Sequence, residues 1–220
     1  MSNHFQYTDL QRMTHWMGWL LVPPLLLTVR GFSHGLHSYR LMAAVPAHQP
    51  LAQLPAGLQA TLQMDQVLRL SQISATLVFL TFFCFAWLFL AFRNLIALHE
   101  RRENTLGNSV SILREIAGGL LTATSMLRRL FTGSAPQSHA HLTLRYTIPA
   151  CTLSLILANV CKIVAVMELH HATQVGEWLA GERWMLSAYI CYVLLYLLAW
   201  RVATRLEVLQ RAAWQQRQAS

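Results

Sequence analysis

Leu106–Leu121, "LGNSVSILREIAGGLL", is too apolar for a water-soluble loop and too interrupted for a membrane span. Whether it crosses the bilayer fixes the number of crossings and which residues share a compartment. Extended to Phe131 and read at helical spacing, Val110, Leu113, Ala117, Leu120, Leu127 and Phe131 gather on one side, and Ser111, Arg114, Gly118, Thr122, Ser125 and Arg129 on the other. That pattern is amphipathic. Asn108 is placed to cap its start, and the uncharged core from Ile116 to Leu127 is only about 12 residues, short for a hydrocarbon core about 30 Å thick.

The rest of the chain makes the bilayer the natural frame. Of 220 residues, 55% are hydrophobic and 12% charged, about half the charge of an ordinary soluble domain. The charges cluster and leave long uncharged tracts. Four spans are predicted, at residues 13–29, 70–92, 146–169 and 184–200. The first contains "WMGWLLVPPLLLTV", whose Pro23 and Pro24 a membrane helix tolerates when neighbours satisfy the freed carbonyls. No small-x-small cleavage site follows it, so it reads as a retained helix. Residues 30–69, with Pro46, Pro50 and Pro55, read as an outer loop of about forty residues, a length that ordinarily holds some structure of its own. Trp87, Phe89 and Phe92 suit an interfacial belt, as do Trp16, Trp19, Trp184 and Trp200. Beyond Trp200, the tail is expected to continue the last helix, with Arg201, Arg205 and Arg211 in reach of headgroups.

Arginine distribution decides the opening question. With four spans, one side holds Arg12, Arg93, Arg101, Arg102, Arg114, Arg128, Arg129, Arg145 and the arginines of the tail, while the other holds Arg30, Arg40, Arg69 and Arg183. Positive residues accumulate in the cytoplasm, so both termini are expected there. A crossing at 116–131 would reverse the bias. The expectation is therefore an all-α, polytopic helix bundle of four spans in a bacterial inner membrane, with a cytoplasmic interfacial amphipathic helix at 108–131 whose basic residues are Arg114, Arg128 and Arg129.

The segment Phe92–Leu121, "FRNLIALHERRENTLGNSVSILREIAGGLL", resembles a junction in a bacterial membrane family known as domain of unknown function 2975, and the tail "LLAWRVATRLEVLQ" is similar to that family's last helix. Asn108, Val110, Leu113, Arg114 and Ile116 carry the likeness, which covers about half the chain. It implies a small four-span inner-membrane protein with a long loop between the first two helices, and the family has no established activity or catalytic residues to carry over. In that family the next span begins at the "LREI" element, which would make Ile116–Phe131 a crossing and leave Tyr146–Leu169 unassigned.

Several groups are candidates for function. Asn159 and Lys162 fall on one face of the third span, with Lys162 about 24 Å along the helix from Tyr146. Ionisable residues inside a span are functional candidates by default. Glu168 is rotated away from them, so no ready-made ion pair is implied. Among the ten histidines, His34, His37, His170 and His171 share the outer side with Glu168, an imidazole and carboxylate set that suits zinc or copper. The opening "YTDLQRMTHWMGWLL" looks like the start of the bacterial cytochrome b561 group, where the His of a His-Trp pair ligates haem. His15 has no partner histidine in the second or fourth span, so no cofactor is expected. The cysteines Cys84, Cys151, Cys161 and Cys191 lie in apolar runs without disulfide or zinc spacing.

No nucleophile motif, phosphate loop or carboxylate pair is present, and the formal net charge of +8 sits beside apolar runs where anionic lipid is the nearer partner than nucleic acid. The sequence thus points to a non-enzymatic accessory, regulatory or scaffold component, with the bilayer and a membrane-protein partner or second copy as its surroundings. A small transporter subunit using the Asn159 and Lys162 face is the alternative, and a metal or haem redox protein the second.

Overall fold

The structure is a computed structural model and describes residues 8–99, 127–128, 130–132, 134 and 146–219. Among these the fold is all-helical: α1 (Gln11–Met42), α2 (Ala56–Phe82), α3 (Phe89–His99), α4 (Ile148–His171) and α5 (Val175–Ala219). A π-helical turn, Phe83–Leu88, joins α2 to α3 without interrupting the rod. Among the described residues, three stretches are long and apolar enough to cross a membrane: Ala56–Leu95, Ile148–His171 and Val175–Gln216. The first predicted span, 13–29, lies inside α1, which is not among them.

The helices begin and end where local chemistry directs. The Asp9 carboxylate accepts the Gln11 N–H at 2.9 Å, capping α1. Pro23 and Pro24 remove two N–H donors from the middle of that helix, yet it continues to Met42. At the start of α5, Glu177 accepts the backbone N–H groups of Thr173 and Gln174 at 2.7 and 3.1 Å, the reach-back of a capping box. The tail does continue the last helix, as its spacing predicts.

The stretch 30–69 differs from its reading as a loop. Most of it is helix, and the connection proper is 43–55 with a single 3₁₀ turn, Leu51–Gln53. Its buried positions mix small and polar residues, Gly31, Gly35, Ser38 and Asp65, with the widely spaced apolar Met42, Leu54 and Leu68. A regular apolar period therefore does not show. The connection pairs with the α4–α5 turn through Leu51 N–H to Thr173 O, Val175 N–H to Gln49 O and Gly176 N–H to Ala47 O, at 2.8 to 3.0 Å. A Cβ at Gly176 would lie 3.2 Å from the Ala47 carbonyl oxygen, so this approach favours glycine. Met42, Leu54, Val175 and Trp178 are buried beneath the pairing.

The chain divides into two compact units, and α1, α2, α4 and α5 contribute to both. Unit one comprises Met1–Leu21, Val78–Thr152 and Leu197–Ser220. Its core holds Trp87, fully buried, whose indole N–H donates to the Thr14 hydroxyl at 3.1 Å and whose ring stacks on Phe83 at 5.4 Å. Trp87 and Phe92 are thus core residues and not a belt, because the indole has a buried polar partner in Thr14. Asn94 and Gln210 are also fully buried; Asn94 bonds the backbone of Thr8, and Gln210 donates to the Ala91 carbonyl at 2.9 Å. The described residues between 127 and 134 are helical, with Leu127, Leu130 and Phe131 buried and Arg128 exposed. The remainder of the expected interfacial helix at 108–131, including Arg114 and Arg129, and most of the family-like segment lie outside the described residues.

Candidate functional site

Unit two, Val22–Leu77 with Leu153–Tyr196, contains the polar groups that membrane helices rarely bury without reason. On α1, the His34 Nδ1 meets Asp65 Oδ1 of α2 at 2.6 Å. Asp65 is 3% exposed, and its second oxygen takes no hydrogen bond. One turn further along α2, Arg69 donates to the carboxylate of Glu182 on α5, itself 1% exposed. Two turns along α2 from Asp65, the Gln72 amide donates to Thr76, Thr28 and Tyr196 at 3.2 to 3.4 Å, while the Thr76 and Tyr196 hydroxyls lie 2.6 Å apart. A row at positions 65, 69, 72 and 76 on one face of α2 therefore ties that helix to α1 and α5.

Close backbone approach lets these side chains meet. A Cβ at Gly31 would fall 2.9 Å from Tyr189 Cζ, and one at Gly35 would fall 2.5 Å from Glu182 Oε1. The two glycines sit where α1 receives the polar side chains of α5.

α4 is built differently. Leu153, Ile156, Leu157, Val160, Ile163, Val166 and Met167 are all 43% or more exposed, an outward apolar face. Its inward polar residues meet α5 at one ring: the Tyr192 hydroxyl donates to Asn159 Oδ1 at 3.4 Å, and Lys162 Nζ stands 5.3 Å from the ring centroid. Asn159 also donates to the Leu155 carbonyl at 2.8 Å. The shared face predicted for Asn159 and Lys162 is therefore present. Glu168 is exposed, and no ion pair joins it or any other carboxylate to Lys162 among the described residues.

Lys162 borders a cavity of about 440 Å³ between α2, α4 and α5. Gln66, Arg69, Gln72 and His170 give it polar edges; Leu62, Leu70, Ile73, Val166, Leu169, Trp178 and Met185 supply apolar wall. The size is ordinary for a small-molecule site.

The candidate metal ligands are dispersed. His34 is engaged by Asp65, His37 is exposed, and His170 and His171 meet edge to face at 5.2 Å. Among the described residues, no three His, Cys, Asp or Glu side chains converge as a metal site would require. Near the N-terminus, His15 is exposed, and its Nε2 accepts the indole N–H of Trp19 one turn on, at 3.1 Å. The described cysteines Cys151, Cys161 and Cys191 are free thiols.

Asp65, Arg69, Gln72 and Glu182 are what sequence reading missed. Arg69 and Arg183 look like span boundaries by composition; the structure pairs Arg69 with Glu182, and the Arg183 Nε–H donates a hydrogen bond to the Tyr39 hydroxyl at 2.7 Å. A period of three and four in polar residues along α2 was the available signal. Compared with family models, with curated proteins and with solved structures, the chain shows no match.

Proposed function

We propose that this chain is a non-enzymatic component of the bacterial inner membrane, accessory or regulatory in role, that works by holding a small ligand in the cavity on the Lys162 face. One observation carries the reading. A buried network fixes α2 against α1 and α5, yet Lys162, on a helix whose outward face is apolar, borders a cavity and has no carboxylate partner among the described residues.

The proposal includes four crossings with both termini cytoplasmic. Support for a crossing by α1 comes from Trp16, Trp19, Val22, Leu26 and Val29, an exposed apolar stripe at helical spacing, each 41% or more exposed. The arginine imbalance supports the orientation. An interfacial helix at 108–131 would lie on the cytoplasmic face, where it meets lipid, a partner protein or a second copy. Transport is the second reading, favoured by the same placement of Lys162 on a cavity.

The test is occupancy. Protein purified in mild detergent and weighed intact is expected to retain one small molecule per chain, and Ile73→Trp, which fills the cavity wall, is expected to lose it. Equal occupancy in both, or none in either when both are folded by circular dichroism, contradicts the reading.

A further inference from the structure

We infer that the cavity's ligand is an amphiphile with a singly charged anionic head, a carboxylate or phosphate diester, on an acyl chain. The inference rests on the cavity reading above and names its ligand class. Two cations border the cavity, Arg69 and Lys162, but Arg69 is neutralised by Glu182. The charge of Lys162 is left without a carboxylate among the described residues. In a low-dielectric setting a cation without a counter-charge is costly, and the π-face of Tyr192 offsets only part of that cost. A monoanion completes the pair, and a more highly charged head would leave negative charge unmet.

The hydrogen-bonding groups fit the same head. The amide of Gln72 is already spent on Thr28, Thr76 and Tyr196. Gln66 and His170, exposed at the rim, remain able to donate to an anionic oxygen. The rest of the opening argues against a purely water-soluble anion: Leu70 and Val166, which line it, are 58% and 50% exposed. Apolar side chains at that exposure on membrane-length helices face acyl chains. At about 440 Å³ the cavity takes a headgroup and a few methylenes. The remainder of the chain lies along Leu70 and Val166, outside the cavity.

An acidic phospholipid and a free fatty acid share this chemistry, and titration separates them. The full-length protein in a non-ionic detergent is titrated with phosphatidylglycerol, phosphatidylcholine, stearate and methyl stearate, and complexes are counted by native mass spectrometry. The expected result is a saturable one-to-one complex with an anionic member, about tenfold tighter than its uncharged or zwitterionic counterpart. That preference should vanish in Lys162→Met and persist in Lys162→Arg. Preference for phosphatidylglycerol over stearate identifies the membrane lipid as the source, and the reverse identifies the fatty acid. Saturable binding that ignores charge overturns the anion assignment, a preference unchanged in Lys162→Met overturns its recognition by Lys162, and both leave the cavity reading standing. Absence of saturable binding by all four overturns both.

Discussion

α2 and α4 are both of membrane length, both apolar, and each carries a basic residue along its length, Arg69 or Lys162. Their surroundings are opposite. Arg69 is met by Glu182 from α5, in a row with Asp65, Gln72 and Thr76, whereas Lys162 meets an aromatic ring and open space. The contrast separates two uses of charge inside a membrane-length helix. A charge whose partner is built in fixes helix against helix; a charge beside a cavity with no carboxylate partner among the described residues is the one proposed to recognise a ligand.

Breaking the built-in pair should have the largest effect. Glu182→Leu leaves the half-buried Arg69 without its carboxylate and is expected to destabilise the protein by about 3 kcal/mol, read from thermal melting in detergent. Adding Arg69→Met should recover most of that loss, because two apolar residues of similar volume replace a fully removed pair. No recovery would mean that the pair does more than cancel its own charges.

Next in size is the close approach that lets the pair form. Gly31→Ala would push a methyl against the Tyr189 ring at 2.9 Å and is expected to cost about 1 to 3 kcal/mol. An unchanged melting curve would mean that α1 can shift without loss. Smaller still is Tyr196→Phe, which removes the hydroxyl 2.6 Å from Thr76 and should cost about 1 kcal/mol by the same assay. A loss as large as that of Glu182→Leu would show the hydroxyl network, not the ion pair, to be the main fastening.

The sequence made one half of this contrast readable and hid the other. Asn159 and Lys162 are three apart on one helix, so their shared face follows from helical geometry alone, and Tyr192 confirms it. The apolar run 70–92 likewise marks the centre of a long helix. The partners of Arg69 and His34 lie 113 and 31 residues away in sequence, and no local period encodes a contact at that distance. Residues 30–69 misled for a related reason. Hydropathy assumes that buried faces are apolar, but here His34, Asp65 and Arg69 meet side chains of other helices, the buried Ser38 bonds back to its own, and Gly31 and Gly35 make room for Tyr189 and Glu182 of α5. By hydropathy the helices therefore look like loop, and the charges that fasten the fold look like its borders. Trp87 differs from its expectation in the same way, since a tryptophan near a span end suits a membrane interface while this indole is bonded inside unit one.

The contrast itself is tested most directly by melting Glu182→Leu and Lys162→Met side by side with the unaltered protein in one ligand-free detergent. Lys162→Met should melt within about 2 °C of the unaltered protein while Glu182→Leu falls by several times that amount. A Lys162→Met protein that loses as much as Glu182→Leu would contradict the assignment, because Lys162 would then be a structural fastening and not a free binding group.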